Sequence, residues 1–116
     1  MPKIAIPDPL ERRYLIERDL APDHSLGLAD AYLAEGRTWD AIAFLAKANA
    51  RDRLAALREE AVAAGDTFLV RELTRALRDE VPGARWTETA AAAAAAGKDR
   101  YAAQARRLAE RAEGRS

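Results

Sequence analysis

The sequence predicts an all-α protein, a short α-solenoid of about three antiparallel helix pairs preceded by one N-terminal helix. Apolar residues recur at helical spacing along most of the 116 residues and nowhere alternate with the period of two that indicates a strand. Three glycines, Gly36, Gly65 and Gly97, each follow an Ala-rich stretch and precede a polar residue. Their intervals of 29 residues (36 to 65) and 32 residues (65 to 97) are typical of helical repeats.

The first predicted helix covers residues 9–20. Asp8 is a favourable N-cap, Pro9 is preorganised for the first turn, and Glu11 can reach back as in a capping box. Residues 1–8 are predicted to be extended, and helix 9–20 is predicted to cap the front of the array.

The three glycines are predicted to be turns between paired helices. Glycine adopts the left-handed conformation that often ends a helix, and a following Thr or Asp can cap the next helix. Val81-Pro82-Gly83 is a strong breaker, which separates the last pair from the others. The predicted helices are 23–35, 38–49, 51–64, 67–80, 86–96 and 99–113, which form the pairs 23–49, 51–80 and 86–113.

Composition limits the class of protein. The chain has 19 basic and 19 acidic residues and no cysteine, which argues against a generic nucleic-acid-binding surface and excludes disulfides and thiolate metal sites. Its longest apolar run, Ala90 to Ala96, is far shorter than a membrane span, and the N-terminus lacks the apolar segment of a signal peptide. We therefore expect one domain, residues 1–116, in the cytoplasm and without membrane contact.

The residues offer little for catalysis. His24 is the only histidine, and its neighbours Asp23 and Ser25 point in divergent directions at a helix start, where capping is the favoured role. Neighbouring carboxylates such as Glu59 and Glu60 face different sides of a helix, so neither a metal site nor a cofactor is predicted. An uncharacterised enzyme remains a disfavoured alternative.

Residues 25–48 resemble a tetratricopeptide repeat, and the later pairs are divergent versions of it. Trp86 stands in the family's early Trp slot, whereas Arg58 and Thr74 replace a small and a large apolar residue in the second pair. The slots of the first pair are filled by Leu28, Ala29, Tyr32, Gly36, Ala41, Leu45 and Ala48.

The resemblance implies a concave groove lined by the first helix of each pair, and hence a protein-interaction module that acts as an adaptor or assembly subunit. Lys, Asn and Arg are absent from the positions with which relatives clamp a peptide carboxylate. We therefore expect an amphipathic helix or peptide with apolar anchors and a basic residue near Asp30 or Glu59. The helix 9–20 of the same or another copy is an alternative occupant. The predicted groove residues are Leu26, Asp30, Leu33, Ala34, Ala55, Glu59, Val62, Ala63, Thr87 and Ala91.

Two further surfaces leave alternatives open. Ala90 to Ala96 predicts a helix that is apolar all round, which packs inside the array or contacts a second copy in a structural homo-oligomer. The basic tail 98–116 can touch RNA, an acidic protein or a membrane surface, or can complement the helix dipole. Nucleic acid is the less favoured partner because no aromatic platform separates the basic residues.

Overall fold

A computed structural model describes residues 4–114, which contain seven α-helices and no strand. The all-α prediction is confirmed. None of the described helices is long and apolar enough to cross a bilayer. Residues 1–3 of the predicted extended segment and residues 115–116 of the basic tail lie outside the described part. The helices are α1 (Pro9–Glu17), α2 (Pro22–Ala34), α3 (Thr38–Lys47), α4 (Arg51–Ala64), α5 (Thr67–Leu77), α6 (Gly83–Ala95) and α7 (Asp99–Gly114).

Helix boundaries differ most from the prediction at three places, each with a local cause. Helix α1 ends at Glu17 because Arg18 is extended, and α5 ends at Leu77 because Arg78 adopts the left-handed conformation. Helix α6 begins at Gly83, three residues before the predicted start, with Pro82 as its N-cap. A proline next to a helix start lacks only an N–H that has no partner within the helix, so Pro82-Gly83 begins α6 instead of preceding a gap.

The three predicted turns are confirmed. Gly36, Gly65 and Gly97 have φ values of 72°, 69° and 74°, and each joins the end of one helix to the start of the next. The glycine N–H donates to the carbonyl three residues earlier in all three turns, and the following N–H donates to the carbonyl five residues before it. These are the bonds that close a helix end around a left-handed residue.

Helix starts repeat at fixed distances from the turn glycines. The first helix of each pair begins fourteen residues before its glycine and the second begins two residues after it. Asn49 and Arg78 each stand thirteen residues after a turn glycine and have φ of 54° and 55°. The first-helix starts are Pro22, Arg51 and Gly83, and the second-helix starts are Thr38, Thr67 and Asp99.

The chain forms two compact units, with the boundary inside α4 between Leu54 and Ala55. In unit 1, α2 and α3 pack against each other around Gly36. The rings of Tyr32 and Phe44 stack with centroids 5.9 Å apart, and both residues are fully buried. Small and large residues alternate in this core, which also holds Leu28, Ala29, Ala41, Ile42 and Leu45.

Helix α1 is held on α3 largely by one side chain. The Arg12 guanidinium lies over the rings of Tyr32 and Phe44, 5.4 and 5.6 Å from their centroids, and donates to the Asp40 carbonyl at 2.8 Å. Leu15 is the one buried residue of this helix. The predicted N-cap is confirmed, because the Asp8 carboxylate accepts a hydrogen bond from the Glu11 N–H at 2.8 Å.

In unit 2, α6 and α7 pack closely around Gly97, and α5 packs on both. Alanines buried on the facing sides of α6 and α7 allow this approach: Ala90, Ala93, Ala102, Ala105 and Ala109. Larger side chains, among them Val70, Leu73, Leu77 and Trp86, fill the remaining core. Thr67 adds a polar link, since its hydroxyl donates to the Tyr101 carbonyl at 2.7 Å.

Candidate functional site

The predicted groove residues divide between the two units. Unit 1 holds four of them on α2, where Leu26 and Leu33 are half-buried and Asp30 and Ala34 are exposed. Unit 2 holds the other six, on α4 and on α6. The α4 and α6 residues form a second candidate surface, because the Glu59–Arg85 ion pair joins these two helices within unit 2.

We call the surface of α4 and α6 in unit 2 the α4–α6 face. Its α4 residues are Ala55, which is half-buried, and Glu59 and Ala63, which are exposed. Its α6 residues are all exposed and small: Thr87, Ala91, Ala94 and Ala95. The face therefore offers backbone and methyl groups, with few long side chains in the way of a second helix.

Val62 is the exception among the predicted groove residues, because it is only 4% exposed. It lines a small cavity of about 240 Å³ together with Arg58, Val81 and Pro82. Val62 is therefore largely covered within unit 2 and contributes little of its own area to the α4–α6 face.

Glu59, one of the two predicted acidic points, already has a partner. The Arg85 guanidinium on α6 forms an ion pair with the Glu59 carboxylate and a second one with Glu88 at 2.6 Å. Arg85 is 30% exposed, so it lies along the face and does not extend into solvent. The α4–α6 face is therefore closer to neutral than the sequence prediction implied.

Asp30, the other acidic point, is paired in the same way with Arg53 of α4 in unit 1. The two pairs occupy equivalent positions. Asp30 and Glu59 each stand six residues before a turn glycine, and Arg53 and Arg85 each stand twelve residues before the next one. In both cases an acid of one first helix binds an arginine of the following first helix.

This ion-pair pattern stops at both ends. The position of Arg53 and Arg85 is taken in the first pair by His24, which is exposed and forms no hydrogen bond or ion pair with residues 4–114. The position of Asp30 and Glu59 is taken in the third pair by Ala91. The acid is thus present only in the pairs that another pair follows in the chain. The arginine is present only in the pairs that another pair precedes.

The alanine segment of α6 has two different sides. Ala90 and Ala93 are buried against the rest of unit 2, whereas Ala91, Ala94 and Ala95 are exposed. The Thr87 hydroxyl donates to the Gly83 carbonyl at 3.1 Å, so its polar atom is satisfied within the helix. The exposed side is therefore small, apolar and without unmet hydrogen bonds at Thr87.

Arg58 and Thr74, the two departures from the tetratricopeptide pattern, are partners. The Arg58 guanidinium donates to the Thr74 hydroxyl at 3.3 Å and to both carboxylate oxygens of Asp79, at 2.6 and 3.0 Å. Its side chain is 17% exposed. A polar clamp between α4 and the end of α5 thus replaces the apolar contact expected at these slots.

Between residues 4 and 114, no group of three or more His, Asp or Glu side chains is arranged to share a metal ion. His24 lies in the first turn of α2, where Asp23 is also exposed and Ser25 is buried.

Comparison with known proteins returns no relative. No known protein family matches the chain, and neither a curated protein nor a solved structure is significantly similar to it.

Proposed function

We propose that this chain is a protein-interaction module, built from three tetratricopeptide-like helix pairs that assemble as an α-solenoid, and that the α4–α6 face binds an apolar amphipathic helix. The observation that carries the proposal is the small exposed surface of α6 beside a neutralised Glu59. An approaching helix meets methyl groups and an ion pair that is already made. Such a module serves as an adaptor or as a subunit of a larger assembly.

The equal spacing of helix starts around the three turn glycines supports the repeat part of this proposal. A helix pair cannot bury its apolar sides alone, and stacked pairs share a core. The two ion pairs at equivalent positions support the same conclusion, since each joins consecutive first helices.

The ligand that suits this face differs in one respect from the one that the sequence suggested. Glu59 and Asp30 already form ion pairs with Arg85 and Arg53 of the chain itself. A basic residue in the ligand would therefore compete with an existing pair and gain little. Apolar anchors at positions i, i+3, i+4 and i+7 of a helix remain the main requirement.

A labelled peptide tests this proposal. The probe is a helical peptide of about twenty residues with Leu at those anchor positions and Gln elsewhere, followed by fluorescence anisotropy. Ala91→Arg places a long charged side chain on the α4–α6 face and should weaken binding by about tenfold or more. Ala46→Arg is the matched control, because Ala46 is also an exposed alanine but lies on the second helix of the first pair.

Binding by the parent protein and by Ala46→Arg, together with loss in Ala91→Arg, supports the proposal. Absence of binding by the parent, or equal binding by all three proteins, refutes it.

Self-association is a second candidate, favoured by the exposure of Ala91, Ala94 and Ala95 on one side of α6. Small residues let two copies of such a helix approach closely. Light scattering separates the two functions. A monomer at micromolar concentration leaves only the peptide-binding function, whereas a dimer that Ala91→Arg dissociates favours the homo-oligomer.

A further inference from the structure

A second surface of unit 2 shares no residue with the α4–α6 face. It is a cleft of about 410 Å³ between α5 and α7, which we call the tryptophan cleft. Trp86, 6% exposed, and the half-buried Leu108 supply its apolar part. Its remaining lining residues are Arg71, Thr74, Arg75, Arg78 and Asp79.

The charge on this cleft is positive once internal pairs are counted. Arg71 and Arg75 lie one turn apart on α5, and Arg78 follows the last residue of that helix, Leu77. Arg75 pairs with Glu72 at 3.2 Å, and Asp79 is held by Arg58. The side chains of Arg71 and Arg78 form no hydrogen bond or ion pair with any residue from 4 to 114.

An adjoining cavity of about 570 Å³ shares Trp86 and Leu108 with the tryptophan cleft. It is lined by both signs of charge, since Arg111, Glu80 and Glu113 are all among its lining residues. Carboxylates of a ligand therefore belong on the α5 side, next to Arg71 and Arg78, and an apolar group belongs on Trp86 and Leu108.

The backbone of Arg78 gives independent support. Arg78 occupies the left-handed region with φ of 55°, at the same distance from its turn glycine as Asn49, whose φ is 54°. Asparagine and glycine tolerate this conformation, whereas a long side chain there costs stability. Arg78 lowers the stability of the protein at this position, yet its side chain lines the cleft. This combination points to a binding role for the side chain.

We propose that the tryptophan cleft binds an acidic peptide segment, with one large apolar residue on Trp86 and Leu108 and flanking carboxylates on Arg71 and Arg78. Guanidinium groups bind carboxylates through paired hydrogen bonds, which suits them to this recognition. The inference is independent of the α4–α6 face and adds a partner surface of different chemistry to the same unit.

Intrinsic fluorescence provides the test. The chain has two tryptophans, and Trp39→Phe leaves Trp86 as the single reporter; Trp39 is 51% exposed, so the change is mild. The probe is a peptide of about ten residues with one central Phe flanked by Glu, and its control carries Lys in place of Glu. We expect the Glu peptide to change Trp86 fluorescence, with an affinity that falls as salt rises, and the Lys peptide to leave it unchanged.

Variants assign the effect to the two arginines. In the Trp39→Phe background, Arg71→Glu with Arg78→Glu should lower affinity for the Glu peptide by about tenfold or more. Arg106→Glu is the matched control, since Arg106 is exposed on α7 and does not line the cleft. Arg78→Gly removes one guanidinium while relieving the backbone, so it should weaken peptide binding and raise the Tm together.

The combined outcome of Arg78→Gly distinguishes recognition from structure, because a purely structural arginine would not yield a more stable protein that binds less. Four results would overturn the proposal: no binding of the Glu peptide, equal binding of the Glu and Lys peptides, tighter binding of a single-stranded oligouridylate than of the Glu peptide, or unchanged affinity in Arg78→Gly.

Discussion

Gly65, at the turn between α4 and α5, lies directly against the backbone of Ala93 on α6. A Cβ atom on Gly65 would lie 2.7 Å from the carbonyl carbon of Ala92 and closer still to the nitrogen and Cα of Ala93. Gly65 is also buried, unlike the other two turn glycines. This contact fixes how closely the second turn approaches α6, which carries four residues of the α4–α6 face.

Gly65→Ala should therefore lower the free energy of unfolding much more than Gly36→Ala does. Both residues have positive φ, so each substitution should lower the free energy of unfolding by about 1 to 2 kcal/mol through the backbone alone. Gly36 has open space around its Cβ position, whereas backbone overlap at Gly65 should add about 2 kcal/mol or more. Urea unfolding followed by circular dichroism measures both. Equal losses would show that α6 is not in close contact with this turn.

Arg58→Ala should lower the free energy of unfolding by about 2 kcal/mol, because it removes a largely buried guanidinium and its bonds to Thr74 and Asp79. Arg53→Ala is a matched control in the same helix. Arg53 is 43% exposed and its partner Asp30 is 59% exposed, so that pair should contribute less than about 0.5 kcal/mol. Chemical denaturation of the two variants decides the point, and an Arg53 effect as large as that of Arg58 would contradict it.

Arg85→Ala should change the ligand preference of the α4–α6 face. Without Arg85, the carboxylate of Glu59 loses its partner and the face becomes acidic. A version of the apolar helical peptide with one Lys near Glu59 should then bind more tightly than the Gln version, by about threefold to tenfold at low salt. Anisotropy titrations of both peptides against the parent and Arg85→Ala provide the comparison. Adding Glu59→Gln should abolish the new preference, and a preference that survives this change would exclude Glu59 as its source.

Glycine at the two left-handed helix ends should stabilise the protein unequally. Arg78→Gly should raise the free energy of unfolding by about 1 kcal/mol, since glycine adopts this φ without steric cost. Asn49→Gly should have a smaller effect, because asparagine already tolerates the conformation. Thermal unfolding measures both changes. A larger gain at Asn49 than at Arg78 would refute the assignment of strain to Arg78.

The features that the sequence predicted correctly are those set by residues close together in the chain. A turn glycine after an Ala-rich helix is a strong signal, since one residue sets both the helix end and the left-handed backbone. The three turns and the bounds of α4 were therefore predicted correctly. The predicted groove residues Thr87 and Ala91 of α6 are exposed. The start of α6 was missed because Pro82-Gly83 resembles a breaker as much as a helix start.

Interactions between distant residues explain what the sequence did not predict. Arg58 and Thr74 looked like departures from the repeat pattern, and only the fold shows that one side chain binds the other. Glu59 looked like a free acid because its partner Arg85 stands 26 residues later in the chain. Val62 looked like a groove residue because helical spacing cannot show which neighbouring segment covers a side chain.

Chemical-shift mapping would locate the peptide-binding surface on the protein. The ¹⁵N-labelled protein is titrated with the apolar helical peptide, and the amide shifts are assigned to helices. Binding at the α4–α6 face predicts that the largest changes lie on α4 and α6, at and around Ala63, Ala91 and Ala95. Changes concentrated on α5 and α7, or on α1, with α4 and α6 unaffected, would contradict it.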